Sequence, residues 1–314
     1  MFVDARTLSD GHAIEADICI IGAGAAGTTL ARELSGSPLR VCLLESGGFE
    51  PDSRTQALYH AESEGLPVEA HESRLRMFGG STNHWTGWCR PLEPIDFEKR
   101  DWLPHSGWPF DKSHLDSFYE RATAVLELHS ARFDASAWES SEKRALNLGD
   151  GLAADSMFQL SPPTMFGQAY RSGIAGAQNV TAYLNANVVE IVTCESGASV
   201  TRLLVRTLEK KQLSASSSIY VLAAGGIENT DNIAQDKALL REILEERYVT
   251  LIGQIEGFND MRRTGNFLNL PLAVGKTDFP RRFLYSQIEI NTNPNVPKNN
   301  VGLYEPVAAF ATPY

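Results

Sequence analysis

The sequence predicts an α/β fold built around a parallel βαβ unit near the N-terminus. Three observations predict it: residues 17–21 form a short apolar strand, the glycine pattern Gly22–Gly27 follows at once, and a second apolar strand at residues 39–45 ends in a carboxylate. A helix-compatible segment, residues 25–34, lies between the two strands. Strand, glycine turn, helix and strand in this order are typical of an FAD/NAD(P)-binding Rossmann-type domain.

The residue types in the glycine turn suit a dinucleotide. Gly22 allows a tight turn, Gly24 lets the backbone approach a pyrophosphate, and Gly27 allows close packing of helix on sheet. The helix N-terminus presents free amides and the positive end of its dipole to the phosphates. Glu45 lies about twenty residues further on, where a carboxylate accepts hydrogen bonds from ribose hydroxyls. A G-x-G-x-x-G pattern alone is weak evidence, but this context makes it specific.

Two further motifs bear on the choice of dinucleotide. Residues 76–91 read R-M-F-G-G-S-T-N-H-W-T-G-W-C-R-P, a loop with backbone donors and flat aromatic walls that suit a large planar ring. Residues 220–230, Y-V-L-A-A-G-G-I-E-N-T, are predicted to end a buried strand with small residues that permit close approach to a cofactor.

The rest of the chain predicts a larger α/β domain and part of a second domain. A helix is expected at residues 113–128, capped by Ser113 and Asp116 and facing a core. An antiparallel meander is expected at residues 180–213. Later expected elements are a strand at 218–224, a helix at 236–246, a strand at 283–290 and a turn at 291–300. We assign residues 1–230 to the cofactor domain, with a long cofactor loop at 50–110 and a helical insertion at about 111–175, and residues 231–314 to a partial α+β substrate-binding domain.

Composition narrows the class of protein. The 314 residues are 43% hydrophobic and 21% charged, as in soluble globular proteins. A net charge of −11 and a pI near 5.2 argue against nucleic acid or an anionic membrane as the main partner. No signal peptide, transmembrane segment or metal site is predicted. The four cysteines form no CxxC pair, which favours a cytoplasmic location, and Cys19 and Cys42 are expected to be inert core residues.

The three motifs, in this order, resemble the glucose–methanol–choline (GMC) family of FAD-dependent oxidoreductases. The resemblance covers most of residues 14–230 and includes H-S-G-W-P-F at 105–110 and S-P-P-T-M-F-G at 161–167. The G-G-S-T-N-H-W-T stretch is most similar to the branch of pyranose oxidases and bacterial sugar or polyol dehydrogenases. The resemblance implies FAD as cofactor and a small-molecule alcohol, sugar or polyol as substrate. In the family, a base removes the proton of a CH–OH group and a hydride passes to the flavin.

The resemblance also implies roles for individual residues. The glycine turn and Glu45 would hold the ADP portion, the loop would line the pyrophosphate and flavin, Val188 would contact the adenine through its backbone, and residues 223–225 would form the floor. His84 matches a histidine that in some relatives bonds covalently to the flavin; otherwise it supports the loop or bonds near the ring. The expected cofactor-binding residues are Gly22, Gly24, Ala25, Ala26, Gly27, Glu45, Ser46, Arg76, Gly79, Gly80, Ser81, Asn83, His84, Trp85, Val188, Ala223, Ala224 and Gly225.

The sequence departs from the family at its C-terminal end. The catalytic histidine of the family, and the histidine or asparagine that follows it, have no counterpart here, and the last histidine is His129. No catalytic residue is therefore predicted, and the enzyme is expected to be C-terminally truncated or to need a second chain. Three alternatives stay open: a flavin-binding remnant or regulatory half without turnover, a nicotinamide-dependent dehydrogenase, and a protein-interaction role. In the last, apolar surface around residues 218–226 would favour a partner subunit or self-association.

Overall fold

The computed structural model describes residues 1–60, 71–102, 106–142, 144, 153–196, 199–226, 228–229, 267–270 and 284–290. Its strands are β1 (Phe2–Asp4), β2 (Ala13–Glu15), β3 (Ile18–Ile21), β4 (Val41–Leu44), β5 (Trp88–Cys89), β6 (Ala153–Leu160), β7 (Val180–Leu184), β8 (Asn187–Thr193), β9 (Val200–Arg206), β10 (Gln212–Ser216), β11 (Ile219–Leu222), β12 (Phe267–Leu270) and β13 (Leu284–Ile290). Its α-helices are α1 (Ala25–Glu33), α2 (Ser53–Gln56), α3 (Pro94–Phe97), α4 (Ser113–Val125), α5 (Phe166–Ala169) and α6 (Arg171–Gly176).

Contacts divide the described residues into two units. Unit 1 contains those within Met1–Trp85 and Thr164–Tyr248, and unit 2 contains those within Thr86–Pro163 and Val249–Tyr314. Each unit therefore takes two separate stretches of the chain. The expected helical insertion, residues 111–175, is divided between the units in this grouping, and the boundary at residue 230 stays a prediction.

Unit 1 is built on a sheet of five parallel strands in the order β1-β7-β4-β3-β11. β3 and β4 are central, and every residue in them is buried. Strands covered on both faces need such unbroken apolar runs. α1 begins at Ala25, within the glycine pattern, and connects β3 to β4. The predicted α/β fold with its parallel βαβ unit is confirmed.

A second sheet covers one face of the first. Its order is β2-β10-β9-β8, and β8, β9 and β10 run antiparallel as the expected meander. Successive residues of β3 face two different cores. Cys19 belongs to a cluster with Leu203 of β9, whereas Ile20 belongs to a cluster with Ala31 of α1 and Ile174 of α6. Unit 1 thus has three layers: helices, the parallel sheet and the meander sheet.

Two sequence-based expectations need correction. β7 was expected within the meander, but it pairs in parallel with β4 and β1. The sequence pattern did not distinguish these two places, because the alternating burial of β7 suits either kind of sheet. α4 was expected to face a core through its apolar stripe. In the described structure it contains no buried residue, and Phe118 is 55% exposed. Its start also differs: Asp111, rather than Ser113 with Asp116, accepts the first bonds, from the amide and hydroxyl of Ser113.

Unit 2 contains a separate sheet in the order β12-β13-β6-β5. β13 pairs antiparallel with β6 over seven residue pairs, from Leu284 opposite Gln159 to Ile290 opposite Ala153. The strand expected at residues 283–290 is therefore confirmed. The helix expected at 236–246 and the turn expected at 291–300 lie outside the described residues.

Candidate cofactor site

Two glycines of the turn after β3 are required by packing. Gly22 has a φ of +99°, and a Cβ atom there would lie 2.6 Å from the carbonyl oxygen of Ala223. A Cβ atom on Gly27 would lie 1.9 Å from the carbonyl oxygen of Gly22. Neither position can accept a side chain without moving backbone. The backbone of the turn is therefore packed closely against both α1 and the end of β11.

Gly24, in contrast, is not required to be glycine by packing within the described residues. Its φ of −73° suits any residue, and a Cβ atom there would meet no atom of the described residues within 4 Å. The part of the chain that the structure describes therefore leaves the space beside Gly24 open. Gly24 is also the N-cap of α1 and has no side chain to bond the first helical amides, those of the exposed residues Ala25 and Ala26. Open space in front of uncapped amides and a positive helix end fits a pyrophosphate.

The loop at residues 76–85 lies directly on this turn. The amide of Gly79 donates to the carbonyl of Ala23 at 2.8 Å, and the amide of Phe78 donates to Gly48 at 2.9 Å. A Cβ atom on Gly80 would lie only 3.0 Å from the Cα atom of Gly24. Gly79 and Gly80 both have positive φ, +92° and +56°, which favours glycine. The first and second motifs therefore form one site.

Polar side chains of the loop mainly hold its shape. The Nδ2 atom of Asn83 donates to the carbonyl of Phe78 at 2.9 Å, and its Oδ1 atom accepts from the amide of Gly167 at 3.2 Å. The indole of Trp85 donates to the carbonyl of Thr164 at 3.2 Å. Asn83 and Trp85 thus tie the loop to residues 164–167, part of the S-P-P-T-M-F-G stretch. Their expected contacts with the cofactor stay predictions.

The third motif reaches the same turn from β11. The amide of Ala223 donates to the carbonyl of Ile21 at 2.8 Å. The amide of Ala224 donates to Oδ1 of the buried Asn229 at 3.0 Å, and the amide of Asn229 donates back to Gly225 at 2.9 Å. Gly225 has a φ of +92°, and a Cβ atom there would meet none of the described atoms within 4 Å. This strand end is thus a second place where the chain leaves open space near Gly22.

Glu45 follows β4 and is buried, with 5% of its surface exposed. One carboxylate oxygen accepts from the amide of Ala23 at 2.8 Å and the other from the amide of Gly47 at 2.9 Å. Burial raises the pKa of Glu45, while these two hydrogen bonds and the charge of Arg76 oppose the rise. An ionised carboxylate has about four acceptor positions, so acceptor capacity remains for ribose hydroxyls. Glu45 therefore both anchors the glycine turn and fits the role expected of it.

Arg76 belongs to an ionic network that sequence reasoning missed. Its guanidinium binds Oε2 of Glu228 at 2.7 Å, and Arg74 binds Oε1 at 3.1 Å. Both guanidinium groups lie over the ring of the buried Tyr59, at 4.0 Å for Arg74 and 4.2 Å for Arg76. Gln56 accepts from the amide of Arg76. One sequence signal could have indicated this network: Glu228 lies within the third motif, in the stretch G-I-E-N.

The remaining expected residues differ in how directly they face the site. Ser46 and Val188 are half-buried, and Val188 pairs with Val205 in the meander. Ser81 lies within the loop, where its hydroxyl accepts from the amide of Leu75 at 3.2 Å. His84 directly follows the 3₁₀ turn Gly80–Asn83 and is exposed. All eighteen expected residues lie in unit 1.

A family model decides the class of protein. The model described as "FAD dependent oxidoreductase" (DAO) matches residues 17–251, well over half of the chain. The chain belongs to the FAD dependent oxidoreductase family. FAD is accordingly its cofactor, and the open space at Gly24 and Gly225, the amides of α1 and the carboxylate of Glu45 fit it. This family match favours FAD over the nicotinamide alternative.

Several known proteins were compared with parts of this chain. No curated protein matches the chain significantly. Among solved structures, pyridoxine 4-oxidase from Mesorbium loti is similar at 20% identity and a TM-score of 0.40, over 70% of this chain and 51% of that one. A fungal aryl-alcohol oxidase is similar at 13% identity and 0.44, over 69% and 46%. A formate oxidase is similar at 11% identity and 0.42, over 90% and 73%. The chain thus spans about half the length of the pyridoxine 4-oxidase and of the aryl-alcohol oxidase.

Cys19 and Cys42 are fully buried neighbours on β3 and β4, as expected of core residues. Within the described ranges, no helix is long and apolar enough to cross a membrane. In the same residues, no three His, Cys, Asp or Glu side chains are grouped as a metal site.

Proposed function

We propose that this chain binds FAD in an oxidoreductase of the GMC type that acts on CH–OH groups of an alcohol, sugar or polyol. One observation carries the proposal: the three motifs that resemble the GMC family lie together around Gly22–Gly24. The amide of Gly79 bonds Ala23, and the amide of Ala223 bonds Ile21. A family resemblance spread over more than 200 residues of sequence is thereby supported by direct contacts in one site.

Different described residues would bind different parts of the cofactor. The amides at the start of α1, beside Gly24, would bind the pyrophosphate, and Glu45 would accept the ribose hydroxyls. The loop at residues 76–85 would cover the dinucleotide and exclude water from it, because Gly80 already contacts the glycine turn. Bound FAD supplies the hydride acceptor for oxidation of a CH–OH group. We assign no catalytic base, since no histidine of this sequence matches that of the family.

His84 is the residue at which a covalent link to the flavin would form. Its support is the resemblance of the G-G-S-T-N-H-W-T stretch and its exposed position after the 3₁₀ turn. Acid precipitation of the flavin-loaded protein tests this part of the proposal. Flavin that stays with the precipitate, and that His84→Ala releases, supports the link. Flavin found entirely in the supernatant contradicts it and leaves non-covalent FAD binding intact.

The reaction class is tested by flavin bleaching. The chain is loaded with FAD, made anaerobic, and mixed separately with sugars, polyols, simple alcohols and, as a contrasting class, primary amines. Bleaching by the CH–OH compounds alone supports the proposal. Bleaching by amines alone contradicts it. A bound flavin that no compound bleaches supports the alternative of a flavin-binding remnant or regulatory half without turnover.

The domain assignment and the partners belong to the same proposal. Residues 1–230 would hold FAD and residues 231–314 would contribute to substrate binding. Apolar surface was expected around residues 218–226, and Ile219, on the edge strand β11, is 54% exposed. A partner subunit or self-association there predicts a sedimentation coefficient above that of a monomer, which a well-behaved monomer would contradict. The cytoplasmic location stays a prediction.

A further inference from the structure

The segment of residues 76–79 crosses the edge of the parallel sheet at which neighbouring strands end. The amide of Phe78 donates to the carbonyl of Gly48, which follows β4, at 2.9 Å. The amide of Gly79 donates to the carbonyl of Ala23, which follows β3, at 2.8 Å. In open α/β sheets, ligands bind outside the carboxyl ends of the strands. The segment therefore lies at the edge of the sheet where a dinucleotide binds.

The same segment is joined to the end of β11, the next strand of the sheet, through charged side chains. Glu228 follows β11 within the third motif. Its Oε2 atom accepts from the guanidinium of Arg76 at 2.7 Å, and its Oε1 atom accepts from Arg74 at 3.1 Å. The bonds to the ends of β4 and β3 are formed by the main chain, whereas these bonds depend on side chains. A single substitution can therefore weaken the join to β11 and leave the main-chain bonds in place.

Glu228 lies between two positive charges that are largely out of solvent. The side chains of Arg74 and Arg76 are 19% and 12% exposed, and that of Glu228 is 22% exposed. Such charges interact more strongly than exposed ones and are less screened by salt. Both guanidinium groups also lie over the ring of the buried Tyr59. Without the carboxylate of Glu228, two cations beside one aromatic ring would repel each other.

The position of Arg76 also bears on Glu45, the carboxylate assigned to the ribose. Gly47 donates its amide to Glu45 at 2.9 Å, and a Cβ atom on Gly47 would lie 2.1 Å from the carbonyl oxygen of Arg76. The charge of Arg76 opposes the rise in the pKa of Glu45. Because the guanidinium of Arg76 is bound to Glu228, the acceptor positions that remain on Glu45 stay available to a ribose.

We propose that Glu228 is a positioning residue for FAD: its ion pairs with Arg74 and Arg76 hold residues 76–79 over the bound dinucleotide and slow its release. The inference rests on the proposed FAD binding and adds a residue that acts through the loop rather than by touching the cofactor. The ion pairs exist while the loop lies on the sheet and break when it lifts away. Their removal favours the lifted loop, past which FAD leaves and enters, so release becomes faster and association is not slowed.

The test measures the release and the association of FAD separately. Every protein in it also carries His84→Ala, so that no covalent link can hold the flavin, and this protein is the reference. FAD-loaded protein is mixed with excess ADP, which blocks rebinding, and release is followed by the recovery of flavin fluorescence. Association is followed by its quenching. We expect Glu228→Gln to speed release at least about tenfold without slowing association, and Glu228→Asp, which keeps the carboxylate, to restore part of the slow release.

Two further variants make the comparison specific. Asp17→Asn is the matched control, because it takes a carboxylate from Arg40, 3.1 Å away, at the start of β3 and thus at the opposite edge of the sheet. It should release FAD within about twofold of the reference rate, since its ion pair is exposed. Arg74→Gln removes one of the two pairs and leaves Arg76 bound to Glu228. It should speed release by about threefold, less than the loss of both pairs.

The outcomes distinguish positioning of the cofactor loop from a purely structural role. A Glu228→Gln protein that melts at a lower temperature but releases FAD at the reference rate would overturn the inference. Slower association with unchanged release would overturn it as well. If Glu228→Gln does not fold, Arg74→Gln decides, and release at the reference rate would then overturn the inference. No binding of FAD by the unmodified protein would instead overturn the proposed FAD site itself.

Discussion

Gly80 lies directly against Gly24: a Cβ atom on Gly80 would be 3.0 Å from the Cα atom of Gly24. The two residues are separated by more than fifty positions in the sequence, and each belongs to a different glycine motif. Their contact brings the loop of residues 76–85 over the start of α1. Because a Cβ atom on Gly24 itself would meet no atom within 4 Å in the described ranges, the loop approaches the turn without filling the space beside it.

The first prediction concerns the pH dependence of stability through Glu45. Burial raises the pKa of Glu45, with bonds from Gly47 and Ala23 opposing. Its raised pKa in the folded chain means that folded protein takes up a proton which unfolded protein does not. The stabilising contribution is full below the ordinary pKa of a glutamate and is lost as pH rises through the raised value. We expect the flavin-free chain to gain stability relative to Glu45→Gln as pH falls from about 7 toward about 5, measured by urea unfolding.

The matched control for that measurement is Glu190→Gln, since Glu190 is an exposed glutamate. Between about pH 7 and about pH 5, the stability difference should change more for Glu45→Gln than for Glu190→Gln. A difference for Glu45→Gln that does not change with pH, or that grows as pH rises, would contradict the raised pKa of this carboxyl.

A second prediction concerns Glu228 and the two arginines that it holds. The side chains of Glu228, Arg74 and Arg76 are 22%, 19% and 12% exposed. Glu228→Gln removes the charge that pairs two largely buried guanidinium groups, so we expect a loss of about 2–3 kcal/mol in the free energy of unfolding. Glu209→Gln is the control, because its pair with Arg54 is open to solvent, and its effect should stay within about 0.5 kcal/mol. Equal effects of the two substitutions would contradict this prediction.

A third prediction concerns thiol reactivity. Hydrogen bonds from Ser196 and Ser199 lower the pKa of Cys194 to about 6, whereas burial raises the pKa of Cys89 to about 11. Cys19 and Cys42 are buried in the core. Since the thiolate is the reactive form, Cys194 should alkylate with iodoacetamide at least about tenfold faster than the other three cysteines at neutral pH. Mass spectrometry of the native protein, with Cys194→Ser as the control, measures this, and comparable labelling of Cys89 would contradict it.

The glycine turn and its neighbouring strands were predictable from sequence because their signals are local. Unbroken apolar runs predict β3 and β4, and the spacing of Gly22, Gly24 and Gly27 predicts the turn and the start of α1. Each of these depends on residues close together in the chain. The family resemblance, carried by contiguous motifs, agrees with the family match in its coarser part, an FAD-dependent oxidoreductase.

The parts that sequence reasoning missed depend on contacts between distant residues. One example is the ionic network around Glu228, which bonds Arg74 and Arg76 across more than 150 positions of sequence. The spacing of apolar and polar residues along the chain cannot predict a pairing between such distant residues. An apolar stripe predicted α4 but could not say what would cover it. The alternating pattern of β7 likewise could not distinguish a place in the parallel sheet from one in the meander, because only the neighbouring strand makes that difference.

We assign the open space beside Gly24 to the FAD pyrophosphate, and the substitution Gly24→Ala tests this assignment. The φ of −73° at Gly24 accepts alanine without strain, so the flavin-free variant should melt within about 2 °C of the unmodified protein. Its new methyl group would occupy cofactor space, and the dissociation constant for FAD should rise at least about tenfold. Gly173→Ala, in α6, also meets open space and should bind FAD normally. A folded Gly24→Ala variant that binds FAD as tightly as the unmodified protein would show that the pyrophosphate does not lie beside Gly24.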